Sequence, residues 1–257
     1  MPIAVSARTA LATRRCGILK EVIEKPFYRR LYMGSEPKGG GVVDEQKLAM
    51  PQAYLVEQPS DSTVATHFHD TNQFQVFVHG VGAFGRKPLD GLMVHYAGAH
   101  TAYGPIAAGG DGIHYMTLRN NWDSGAKTLP ENRHRMRSVT RVHRFAENVM
   151  PSAPSLAKDT VARTDLIALE EDGLGVCRFD IGPARVCDIG FEFEGAGAYA
   201  LVIAGEVEHE GDDYETHSLI YVAEDESPIS VTAGSAGASV LFLQFPPEPT
   251  FADSEPS

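Results

Sequence analysis

The sequence predicts an all-β fold arranged as two tandem antiparallel units, and three observations carry that prediction. Short runs rich in Val, Phe, Tyr and Ile recur between clusters of Gly, Pro, Asp and Asn. Helical periodicity is weak along the whole chain. The chain also matches itself without gaps when slid by 125 residues. Its 257 residues suffice for one large domain or two of about half that length. A 43% hydrophobic and 22% charged composition is that of a folded chain rather than a disordered one.

Taken in order, residues 1–20 carry Arg8, Arg14, Arg15 and Lys20 without an acid, and read as a short N-terminal arm. Strands are expected over 54–56, 74–78, 92–96, 114–119, 179–181, 199–203, 219–222 and 240–245. Residues 11–23 and 142–150 are the two places where a short helix is expected. Arg133, His134, Arg135, Arg137, Arg141, His143 and Arg144 form a basic stretch, read as a solvated connector between the halves. From Pro246 onward the chain is Pro-rich and acidic, and 248–257 read as a flexible tail.

The self-match pairs residues 67–119 with 192–244. It holds only seven identities, but they fall where a repeat needs them: Gly80 meets Gly205, Gly109 meets Gly234 and Gly112 meets Gly237. Apolar alternation is kept as well, with Val76 over Leu201 and Val78 over Ile203. A tandem duplication follows, with units at 1–125 and 126–247.

Charge and cysteine usage narrow the function. A net charge of −12 argues against nucleic acid as the main partner. No apolar run reaches the roughly 18–20 residues of a membrane helix. Three scattered cysteines, Cys16, Cys177 and Cys187, suit neither a disulfide framework nor a zinc ribbon, and a cytoplasmic setting is expected. No phosphate loop or nucleophile elbow is present; Lys38-Gly39-Gly40-Gly41 lacks the required order.

Chemistry concentrates in one segment. Six of the ten histidines, at 67, 69, 79, 95, 100 and 114, fall between residues 67 and 114. His67 and His69 share a strand face because strand side chains alternate, and Gln73 can return beside them after the turn at 70–72. His114 opens a later strand. Imidazoles and an oxygen donor converging with open positions suit a mid- to late-first-row divalent ion.

The string His67-x-His69-x3-Gln73-x6-Gly80 resembles the first motif of the cupin superfamily, which usually ends in glutamate rather than glutamine. Gly98, Pro105, Gly109 and His114 loosely match the second motif, with the Pro105-to-His114 interval four residues longer. The resemblance implies a bicupin of two jelly-roll barrels. It implies one divalent ion on His67, His69, Gln73 and His114, with His100 competing for the third histidine position. Gln73 is either a ligand or a hydrogen-bond partner of a bound water. Strand parity puts Gln75 and Phe77 on Gln73's face, and Met116 and Leu118 on His114's. Gln75, Phe77, Met116 and His100 are therefore the candidate substrate-binding residues, and Tyr103 the candidate acid/base. Arg119 is of the type that clamps a carboxylate, but by strand parity it points away from His114's face and is assigned no role.

Glu192, Glu194, Ala198 and Ser239 stand where the first half has His67, His69, Gln73 and His114, so the second half is expected to lack a metal. Family chemistry makes a non-haem Fe(II) dioxygenase acting on a small molecule the first expectation. A redox-neutral Zn, Ni or Mn enzyme and a non-catalytic binding protein are the alternatives. A homodimer is expected by the same analogy.

Overall fold

The computed structural model describes residues 2–35, 50–140, 142–151, 157, 159–191 and 195–250. It is built almost wholly of antiparallel strands, in a nine-stranded sheet, an eight-stranded sheet and a two-stranded ribbon. Every predicted strand segment overlaps a strand, and only Leu92 and Phe245 at two segment ends fall outside one.

The repeat is visible strand by strand. Gln73–Phe84 and Ala198–His209 are the long central strands of the two sheets, and 125 residues separate both their starts and their ends. Lys87–Asp90 and Asp212–Glu215 bear the same relation. Ile106–Arg119 and Ile229–Gln244 each pair with the central strand of their own sheet. At Gly80 (φ 84°) and Gly205 (φ 73°) the backbone turns left-handed, and a Cβ would run into the carbonyl oxygen of Gly112 or Gly237. Glycine alone meets both demands, which is why these identities survive in a weak match.

The halves also exchange strands. Ile3–Val5 pairs with Leu219–Val222 at the edge of the second sheet, and His143–Ala146 pairs with Met93–Ala97 in the first. Two expected helices therefore take other forms. The helix lies earlier, at Ala7–Leu11, started by Ser6, whose hydroxyl accepts from the Thr9 amide. Residues 15–33 then form a hairpin, Arg15–Leu19 against Ile23–Met33. Residues 143–146 are a strand because pairing with Met93–Ala97 satisfies a backbone that a nine-residue helical segment would leave marginal.

Two of the three apolar clusters fill the barrels and the third joins them. Phe77, Phe84, Ile106 and Tyr115 belong to the first interior; Phe179, Val202, Val240 and Phe242 belong to the second. Phe74, Val76, Met116 and Leu118 pack with Tyr199, Leu201, Leu241 and Leu243 between them. The central strands are thus buried on both faces, one side toward a barrel interior and the other toward the neighbouring barrel. The tail begins ordered: Glu248 accepts from the Asn72 amide at 2.9 and 3.0 Å, while 251–257 lie outside the described residues.

Candidate small-molecule site

His67, His69, Gln73, Gln75 and Tyr103 line one cavity of about 80 Å³ inside the first barrel, together with Tyr54, Thr117 and Arg119. Four strands supply all but His69, which follows the strand of His67, and Tyr103, which makes an isolated bridge. His67–Phe68 is a two-residue strand held by Lys127–Thr128 and bridged to Tyr103. Gln73 and Gln75 begin the long central strand, and Thr117 and Arg119 end its partner, with Gln75 opposite Thr117.

Hydrogen bonds fix the orientation of each group. His67 Nδ1 lies 2.7 Å from the Ala65 carbonyl, so it carries the proton and donates. Its Nε2 then accepts from the Tyr103 hydroxyl at 3.0 Å. The Gln73 amide donates to that same phenol oxygen at 2.6 Å, and its carbonyl accepts from Arg119 Nε at 2.9 Å and Nη2 at 2.5 Å. Arg119 Nη1 also donates to the Gln52 carbonyl. A directional chain therefore runs from the guanidinium through Gln73 and Tyr103 to His67.

His69 is anchored separately. Its Nδ1–H donates to Asp123 Oδ1 at 2.7 Å, leaving Nε2 facing Arg119 Nη2 at 3.2 Å. Asp123 also accepts from Gly125 N, Asp70 N and Lys127 Nζ, so both of its oxygens are satisfied. Burial alone would push this carboxyl up, but His69, Arg119 and Lys127 together hold it well below the usual range. Burial depresses His67 to about 4, and burial with the Arg119 charge depresses His69 to about 3. Both imidazoles are neutral at pH 7. Burial raises the Tyr103 phenol well above its ordinary value, so it stays protonated and acts as a donor.

The remaining sequence candidates lie elsewhere. The His114 ring lies tilted against that of His79, centroids 4.8 Å apart, on the strand face that looks away from the cavity, and burial lowers its proton affinity. Met116, on that same face, packs between the barrels. His100 sits behind the His67–His69 segment, its ring 5.7 Å from Phe68 and its amide donating to the His69 carbonyl. Phe77 faces the interior but joins its apolar cluster rather than the cavity wall. Arg119 and Asp123 are the site residues that sequence reading did not assign. The strand alternation that excludes Arg119 from His114's face places it on the cavity face.

A resident divalent ion does not fit this arrangement. Among the described residues no three His, Cys, Asp or Glu side chains converge as ligands. The Gln73 oxygen is engaged twice by Arg119, and a fixed positive charge stands beside His69 Nε2. In the second barrel the matching interior positions are the apolar Ala198, Ala200, Val202, Val240 and Phe242, with the buried Gln244 in the place of Arg119. Glu192 and Glu194 fall outside the described residues.

No family model and no curated protein sequence matches the chain. Solved structures do, and they define the fold as a pair of cupin jelly rolls. A "putative dioxygenase" of Nostoc punctiforme is 12% identical, covers 95% of this chain and 82% of its own, with a TM-score of 0.64. The pirin YhhW of Escherichia coli, solved with nickel(II), is 12% identical over 96% of this chain and all of its own, TM-score 0.57. An 11S globulin of Wrightia tinctoria, described as revealing an auxin binding site, is 10% identical over 96% and 83%, TM-score 0.56. Among the described residues no helix is long and apolar enough to cross a membrane.

Proposed function

We propose that the first barrel is the working half of this bicupin-fold protein. It holds a small organic molecule in the cavity formed by His67, His69, Gln73, Tyr103 and Arg119, and the second barrel is its scaffold. The observation that carries this reading is the contrast between equivalent interior faces. Both barrels have a cavity, but the first sets Gln73, Gln75, Thr117 and the Arg119 charge at its wall where the second has Ala198, Ala200, Phe242 and an uncharged Gln244. Convergent polar groups in a largely apolar pocket are what small-molecule sites share. The guanidinium offers a hydrogen bond to the bound molecule, and the Tyr103 O–H, which donates to neutral His67 Nε2, can turn to it instead and leave that nitrogen as the acceptor of a proton.

A metal-dependent reading, with Fe(II) first and Zn, Ni or Mn behind it, draws support from one feature. Both histidines hand Nδ1–H to an oxygen and turn Nε2 inward, as metal-bound imidazoles do. Neighbours named as a dioxygenase or solved with nickel point the same way. It requires Arg119 to leave both Gln73 and His69.

Elemental analysis of the purified chain, with a fragment screen read by the His67 and His69 ring resonances, tests the two. Metal well below one per chain with fragments shifting those resonances supports the metal-free site. One tightly held iron per chain with substrate-dependent oxygen uptake would overturn it in favour of the oxygenase.

A further inference from the structure

We infer that the ligand of the first barrel is a small organic monocarboxylate, anchored through its carboxylate by Arg119. The inference rests on the reading of that barrel as a small-molecule site. Arg119 is wholly buried, at 0% exposure, and lines the cavity. A buried guanidinium stays charged and is normally paired with a carboxylate. Here its partners are the amide oxygens of Gln73 and Gln52, the imidazole of His69 and the side chain of Tyr54, none of them a carboxylate. Among the described residues no carboxylate forms an ion pair with it within 4.0 Å.

The nearby carboxylate is already committed. Asp123 accepts from His69, Lys127 and two backbone amides, and Asp70 also pairs with Lys127, at 2.7 Å. Asp123 and Asp70 outweigh Lys127 by one negative charge, but neither carboxylate lines the cavity and Asp70 is 41% exposed, so Arg119 is the charge the wall presents beside His67 and His69.

Residue 73 is the selector. A glutamate there would set a carboxylate within 3 Å of the guanidinium and cancel its charge. The amide instead orients Arg119 with its carbonyl and Tyr103 with its NH2, and leaves the charge to be met by something else. A carboxylate gives the guanidinium a charge–charge attraction and a bidentate fit that amide oxygens do not, so an entering carboxylate displaces neutral acceptors at a gain. The opposite end of the cavity is walled by Val22, Ile23, Phe27, Val56 and Val64. One polar, positive end and one apolar end in a cavity of about 80 Å³ call for a single carboxylate on a short apolar body.

The test pairs acetate, butyrate and benzoate with acetamide, butyramide and benzamide on the full chain. Binding is read by calorimetry and by the His67 and His69 ring resonances. At least one acid is expected to bind about tenfold or more tightly than its amide, and Gln73→Glu, which supplies an internal carboxylate, is expected to erase that preference. Gln73→Glu keeps the side-chain length, and an unchanged circular dichroism spectrum certifies its fold. Amides binding as well as acids, or Gln73→Glu retaining the preference, would overturn the anion anchor and leave the small-molecule site standing. If neither class shifts a cavity resonance, both readings fall.

Discussion

Asp123→Asn isolates the group on which the geometry of His69 depends. The carboxylate is fully buried and accepts four hydrogen bonds. Oδ1 takes them from His69 Nδ1 and Gly125 N, both at 2.7 Å, and Oδ2 from Asp70 N at 2.9 Å and Lys127 Nζ at 3.1 Å. An asparagine of the same shape fails in either orientation, because its NH2 must face two donors. Lys127, only 3% exposed, then keeps Asp70 alone as an ionic partner, and Asp70 is itself 41% exposed. Removing one member of a buried ion pair costs about 3–5 kcal/mol. For a chain of this size each kcal/mol moves the melting temperature by about 2–4 °C, which gives a drop of roughly 6–20 °C. Urea unfolding followed by circular dichroism measures it. Glu147→Gln, which breaks the exposed Lys87–Glu147 pair, serves as the control and is expected to cost under about 1 kcal/mol. A loss for Asp123→Asn no larger than for that control would refute the assignment of Asp123 as the anchor.

Three further outcomes follow from groups with displaced proton affinity or fixed backbone. His67 and His69 titrate in the folded chain at about 4 and 3, against an ordinary 6.5, so between these values the unfolded chain binds protons that the folded one does not. Stability present above pH 6.5 is therefore lost as pH falls, by roughly 2–4 kcal/mol between 6.5 and 5. Double replacement by Asn should flatten that limb of the urea-measured profile, and an unaltered slope would contradict burial as the cause. Glu248 moves the opposite way: burial raises it to about 7 from 4.5, so the stability held by its protonated form is full below 4.5 and fades as pH rises through 7. Glu248→Gln should gain about 1–3 kcal/mol on wild type between pH 6 and 8, with slower exchange of the Asn72 amide at pH 8; equal profiles would count against it. Gly80→Ala and Gly205→Ala should each cost at least about 2 kcal/mol, since positive φ and a backbone carbonyl oppose the new methyl alike at both sites. A neutral result at either would break the equivalence of the two turns.

The repeat was legible because glycine identity at a left-handed turn is a backbone requirement that drift cannot relax. Gly80 and Gly205 hold the same turn against Gly112 and Gly237, and around them strand lengths match to the residue. What the sequence could not show was which half each short segment serves. Ile3–Val5 and His143–Ala146 carry too few residues to announce a partner, and their register is fixed by the edges they meet, Leu219–Val222 and Met93–Ala97. The tail was opaque for a related reason. Composition reads Pro246-Pro247-Glu248 as solvated, whereas the Asn72 amide offers Glu248 a specific buried acceptor position.

The site divides along the same physical line. His67, Gln73 and Tyr103 were legible, because a two-residue spacing and a return after a turn set one face regardless of what surrounds it. The strand Ile106–Arg119 was not, since alternation reports a face only when the two faces differ in polarity. Here Tyr115 and Thr117 look into the barrel while Met116 and Leu118 look into the second barrel, and all four are buried. The extra residues before His114 are absorbed as a bulge between Ala108 and Ile113, opposite Gly82 and Gly80, so they shift no downstream residue into the cavity. With parity fixed by Gln75 opposite Thr117, the position opposite Gln73's end of the ladder belongs to Arg119. The glutamine that departs from the family motif and the arginine left without a role are then one feature. An uncharged residue 73 gives Arg119 an amide oxygen where a glutamate would give it a carboxylate, so the charge of this buried guanidinium is met by no ion pair at that position.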